Sequence, residues 1–293
     1  AVLAAIRRWF ADNILELGRE MRLSYLPPLM VYVAAGVSGL TGIVGTFFVK
    51  EYLGLSAAFL AALAFWAGIP WALKMPLGHL VDLIWRHKAG LVWLGASLIA
   101  ASLLIMLGLV AEPRYMSGIM SPEAWFVVSS LLSPVGYVLQ DVVADAMTVE
   151  AVPRVNDQGD PLPPETRRLM NTTLQTLGRV AIIGGGVLVS LVNVVMFAGV
   201  DSLPNAERVA IYAQVYGMAL VIPAISVAGV LLASLIRRRE AGRLRARGFD
   251  KATLRAMLEP PTDAVKPDWW ILGGSLVFVA ISVSVGVSQL EFG

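Results

Sequence analysis

Cysteine is absent from the 293 residues, which excludes disulfides, thiolate metal sites and cysteine nucleophiles and leaves the redox compartment open. Histidine is nearly absent too. His79 and His87 have no metal-ligand company, so no metal site is expected. Charged residues make up only 15% of the chain, and the net charge of +2 favours neither nucleic acid nor any other polyion as a partner. No nucleophile elbow, metal cluster or cofactor motif is present, so neither an enzyme nor a bound cofactor is expected. Gly184, Gly185 and Gly186 follow no strand and do not read as a phosphate loop. No small-residue cleavage site follows the first apolar run, so no signal peptide is expected.

What is there is apolar. The chain is 57% hydrophobic with a mean hydropathy of +0.72, far from the balance of a soluble domain. Seven runs are long enough to cross a bilayer as helices, at about 27–49, 55–84, 89–111, 123–149, 169–199, 208–236 and 269–289. The expected fold is therefore an all-α integral membrane protein of seven transmembrane helices. Before them, Leu3, Ile6, Phe10, Ile14, Leu17 and Met21 recur at helical spacing, which predicts an interfacial helix within residues 1–26. Between the sixth and seventh runs, residues 237–268 form a basic linker. Its default reading is a solvated helix, with contact to anionic lipid as the alternative.

Lysine and arginine set the orientation. The N-terminal segment and the second, fourth and sixth connections carry eighteen of the 23, and the remaining connections carry Lys50, Arg114 and Arg208. The expected N-terminus is cytoplasmic. Two cations fall inside the spans, Lys74 and Arg179, joined by the carboxylates Asp141 and Asp145 of "QDVVADAMTVE". Lys74, Asp141 and Arg179 each lie about ten residues from the basic-side end of their span. At about 1.5 Å per residue this is about 15 Å deep, near the bilayer midplane. Asp145 is one turn nearer the basic side on the same face as Asp141.

An ionised group in hydrocarbon is costly, so groups at one depth are expected to compensate one another, with Arg179 offsetting Asp141. Alternatives stay open. Lys74 can snorkel if the second span ends early, Asp145 and Glu150 can be a hydrated helix end, and a paired charge can serve the fold alone.

Between the second and third spans stands "GHLVDLIWRHK". Gly78, three residues later Asp82, and then Arg86 and Lys88 resemble the loop signature of the major facilitator superfamily. In that signature glycine allows close helix approach, Asp82 can cap a neighbouring helix N-terminus, and the basic residues face the cytoplasm. The second basic position next to Asp82 is missing, since Leu83 and Ile84 follow. The preceding stretch resembles the folate–biopterin transporter family more specifically. Lys50 to Ser56, then Pro70, Trp71 and Lys74, match its motifs, although Met75 stands where that family has proline and Pro76 follows one later. "DVVADAMTVE" is similar to its fourth-span Asp-x-x-x-Asp-x-x-x-Glu pattern with one extra residue before Glu150, and "LQTLGRVAIIGGG" to its fifth span.

The resemblance, over about residues 30–190, implies a six-helix bundle at 27–236, the N-terminal half of a facilitator, with residues 269–293 as one further span. It implies proton-coupled uptake of a folate- or pterin-like organic anion across a bacterial inner membrane. Lys74, Asp141, Asp145 and Arg179 become the substrate and proton-coupling candidates. Gly36, Gly39, Gly42 and Gly45 are expected to let helices pack closely. Seven spans against a complete facilitator's twelve leave two expectations. Either a C-terminal half completes the carrier, or a truncated facilitator serves as a non-transporting subunit packed in a larger membrane complex.

Overall fold

A computed structural model describes residues 21–84, 87–156, 160–250, 254, 258 and 267–291. Most of the expected interfacial helix (residues 1–20), Arg86 and much of the linker beyond Asp250 lie outside the described residues. The described chain is helical and contains seven helical stretches apolar and long enough to span a membrane, at Leu23–Leu53, Ala57–Leu83, Lys88–Ala111, Pro122–Ala151, Pro164–Met196, Asn205–Ala246 and Trp269–Ser288.

Local chemistry sets the helix ends and breaks. The first span begins as α1 (Leu26–Gly36) and continues through a 3₁₀ turn into α2 (Gly42–Phe48). It closes at Gly54, whose φ of 58° a side-chain-bearing residue adopts only with strain. Ser56 caps α3 (Ala57–Ala72) by accepting from the Phe59 amide. The second span then breaks at Leu73 before α4 (Lys74–Leu83). Pro76 explains the break, because it has no N–H for the carbonyl of Ala72 and its ring would strike that carbonyl. The sixth span repeats the device. It breaks at Leu220, between α9 (Asn205–Ala219) and α10 (Val221–Ala246), three residues before Pro223. The other long helices are α5 (Lys88–Ala111), α7 (Pro122–Ala151), α8 (Pro164–Met196) and α11 (Trp269–Glu291), and α6 (Pro113–Ser117) is a short turn between α5 and α7. Residues 237–246 of the expected linker continue α10 without interruption.

In lipid, helices gain little from burying apolar surface against one another, so close packing must hold the bundle. Small residues provide it at three crossings. A Cβ on Gly95 would lie 2.7 Å from the Gly136 carbonyl oxygen, and one on Gly136 2.6 Å from that of Gly95. Two turns along the same α5–α7 seam, the buried Ser102 and Ser129 hydrogen-bond across at 2.9 Å. Gly36 of α1 and Gly185 of α8 meet backbone to backbone, and Gly229 of α10 sits on Pro27 and Met30. Of the glycines expected to pack, Gly36 does so, Gly42 has no atom within 4 Å of where a Cβ would stand, and Gly39 and Gly45 have ordinary clearance; Gly184 and Gly186, on either side of Gly185, also face open space. Two stacked cores result. One centres on Tyr25, Leu29, Val142, Met147 and Leu174, and the other on Val44, Ile99, Leu109, Tyr212 and Ile222. The seventh helix lies beside α3 and α4, with Gly286 against the Phe65 ring and His79 Nε2 accepting from the Asp268 amide.

Candidate functional site

Asp141 and Asp145 stand four residues apart on α7, so their side chains leave the same face. That face meets the Leu73 break. Because α4 restarts there, Lys74 reaches both carboxylates, with Nζ 2.6 Å from Asp141 Oδ2 and 3.1 Å from Asp145 Oδ2. From α1, the Tyr32 hydroxyl donates to Asp145 Oδ1 at 2.7 Å. Three spans thus converge on one group of four polar side chains. Tyr32 and Lys74 each lie about nine residues from the basic-side end of their span, and Asp141 about ten, so all are near mid-depth.

The group is closed on one side and open on the other. The Asp141 side chain is 14% exposed, against 50% for Asp145 and 42% for Lys74. Beside Asp141, the buried Gln140 carbonyl accepts from Ser226 of α10 at 2.9 Å, while its Nε2 has no hydrogen-bond partner among the described residues. One ammonium facing two carboxylates leaves a formal charge of −1 when all three are ionised.

The expected pairing of Arg179 with Asp141 is not formed. Arg179 is exposed and takes part in none of the ion pairs among the described residues. The reason is rotational. Gly178 lies against the Tyr32 ring, so the next residue is turned about 100° away from the α1 contact. Depth was shared, but facing was not. Lys74 does not snorkel, and Asp145, though half exposed, is held by Lys74 and Tyr32.

Glu150 is not a hydrated helix end. Its side chain is 14% exposed, it contacts the buried Lys88 ammonium, and its Oε2 accepts from Arg237 Nη2 at 2.8 Å. Lys88 of the loop signature is thereby tied to the end of α7 and, through Glu150, to α10. Other parts of that signature take different places. Gly78 has no atom within 4 Å of a would-be Cβ, so close approach does not explain it. Asp82 is exposed and caps no helix among the described residues, and the following helix α5 has no side-chain cap.

Sequence reasoning missed Tyr32, Gln140 and Arg237. For Tyr32 the signal was its depth, which matches that of Lys74; for Gln140 it was adjacency to Asp141 in an uncharged run. Nothing in the sequence marks Arg237 among its neighbours Arg238 and Arg239.

Comparison with known proteins gives one match of weight. Over 152 residues, 51% of the chain, the sequence is 28% identical to the folate-biopterin transporter of Synechocystis sp.. The match covers 28% of that relative's length. No family model matches the chain. No solved structure matches it either. The chain is a multi-pass helical membrane protein, distantly similar to a transporter.

Proposed function

We propose that the chain is the six-helix bundle and seventh span of a major-facilitator-type secondary transporter, which moves a folate- or pterin-like organic anion together with a proton. One observation carries the reading: the mid-depth group in which Lys74 is shared by Asp141 and Asp145 and steadied by Tyr32. The similarity to a folate-biopterin transporter supports the substrate class.

The arrangement couples two ligands through one cation. With both aspartates ionised, the Lys74 charge is more than compensated, and an incoming carboxylate meets net negative charge. Protonation of one aspartate removes that excess. The incoming carboxylate can then displace the aspartate that remains ionised from the Lys74 ammonium, so that one proton enters with one anion; Arg179, at a similar distance along its span, would join only if its helix turned toward the group. Deprotonation on the opposite side reverses the exchange and expels the anion. Gly78 and Asp82 of α4 and Lys88 at the start of α5 flank the connection at the cytoplasmic end, where the Lys88–Glu150–Arg237 contacts tie α5, α7 and α10 together. In this reading the N-terminus is cytoplasmic in a bacterial inner membrane, because the basic connections share one side.

The test is uptake by the full-length protein in proteoliposomes with the outside acidic and labelled folate or biopterin supplied. Uptake should require the proton gradient and fall at least about tenfold in Lys74→Met, a loss of about 1.4 kcal/mol of anion interaction. Arg114→Met, on the opposite connection, should leave uptake unchanged. Absence of uptake of any pterin-like compound, with the chain recovered inside a larger membrane complex, would replace this reading by that of a structural subunit.

A further inference from the structure

At the basic end of the bundle lies a cavity of about 730 Å³, remote in function from the mid-depth group and sharing none of its residues. Three walls form it. Arg22 and Ser24 precede α1, Arg154 and Asn156 follow α7, and α10 contributes Arg237, Arg239, Arg243 and Arg247. Arg239, Arg243 and Arg247, the residue that ends α10, recur every four residues and line one face, with Arg237 at its edge, while Arg238 and Arg245 of the same helix do not line the cavity. Six arginines thus meet two acids, Glu150 and Glu240. Glu150 is already engaged by Lys88 and Arg237. The charge of the cavity is strongly positive.

Two further features narrow the ligand. Burial first, and then the neighbouring Arg167, hold the Arg154 guanidinium below its ordinary range, a cost that an anion bound beside it would relieve. Most of the remaining lining is apolar, including Leu23 and Val149, which are exposed large hydrophobic residues. Arginine forks match phosphate oxygens bidentately, the Ser24 hydroxyl offers a hydrogen-bond donor, and an apolar rim at a span end suits acyl chain. A fully soluble anion would leave that rim unused.

We propose that this cavity is a binding site for the phosphate ester of an anionic amphiphile, a phospholipid headgroup seated among Arg22, Arg154, Arg239 and Arg243 with its chains along the first and fourth spans. By holding together the ends of α1, α7 and α10, the bound lipid stabilises the bundle at its basic end. The site does not depend on what the protein transports.

Binding to delipidated protein in neutral detergent tests it, read as a rise in melting temperature with added phosphatidylglycerol, phosphatidylcholine or inorganic pyrophosphate. Phosphatidylglycerol should bind, more weakly as salt is raised, and phosphatidylcholine should not. Arg239→Gln with Arg243→Gln should weaken phosphatidylglycerol binding by about 25-fold, at about a factor of five per arginine near a lipid surface. Arg238→Gln with Arg245→Gln removes the same charge from the same exposed helix and should change binding less than about threefold. Equal loss in both pairs would reduce the effect to general surface charge and overturn the site. So would pyrophosphate binding as tightly as the lipid, since the phosphate alone would then suffice. All four arginines are exposed, and a melt of each unliganded variant near that of the wild type shows that folding is intact.

Discussion

Replacing Lys74 with methionine keeps the length and apolar stem of the side chain and deletes one charge from a group of three. The structure sets the size of the effect. Lys74 Nζ is within 3.1 Å of both carboxylates, so its loss leaves two like charges served, among the described side chains, by the Tyr32 hydroxyl alone. Breaking a fully buried pair costs about 3–5 kcal/mol, whereas exposed pairs contribute about 0.2–1 kcal/mol. With Asp141 14% exposed but Lys74 and Asp145 near half, a loss of about 2 kcal/mol is expected. The acids should respond differently. Asp141→Asn leaves one ammonium with one carboxylate and should cost under about 1 kcal/mol, because the group holds one acid more than it has base. The assay is reversible unfolding in mixed micelles across a double-mutant cycle. Lys74→Met combined with Asp141→Asn should cost less than the sum of the two by about 1 kcal/mol or more. Arg179→Ala combined with Asp141→Asn should be additive within about 0.5 kcal/mol, since the two side chains share no contact. Asp141→Asn as damaging as Lys74→Met, or coupling between Arg179 and Asp141 in place of Lys74, would refute the arrangement.

Glu150→Gln should destabilise the bundle by about 3 kcal/mol in the same unfolding assay, because it strips the carboxylate from the buried Lys88. Arg237→Gln should cost less than about 1 kcal/mol, its side chain being half exposed. Gly185→Ala should cost about 1–3 kcal/mol, since the new methyl would lie 2.8 Å from the Gly36 backbone. Gly184→Ala, one residue away with open space around it, should be neutral or stabilising by up to about 1 kcal/mol through helix propensity alone. Equal melting shifts for the two glycine variants would contradict the α1–α8 backbone contact.

The seven spans were legible in the sequence because crossing a bilayer is a requirement on composition along the chain, and hydropathy is read along the chain. The position of Asp141 and Asp145 on one face was legible for a similar reason, since helical spacing is local geometry. The similar distance of Lys74 and Asp141 from their span ends was legible too. What the sequence could not carry was rotation of one helix against another. Lys74 and Arg179 lie at similar depths, yet only Lys74 reaches the carboxylates. The break before Pro76 starts α4 at that residue, while the Gly178–Tyr32 contact turns Arg179 outward. The glycines behave in the same way. Gly184, Gly185 and Gly186 are equivalent in composition, but only Gly185 faces α1 closely enough for a methyl group to be excluded. Glu150, whose sequence suggested a wet helix end, is largely enclosed because Lys88 and Arg237 arrive from two other spans. Spans, depth and spacing are properties of one strand of chain and belong to the sequence; the choice of partner at equal depth is made only when several helices pack, and the tertiary structure alone decides it.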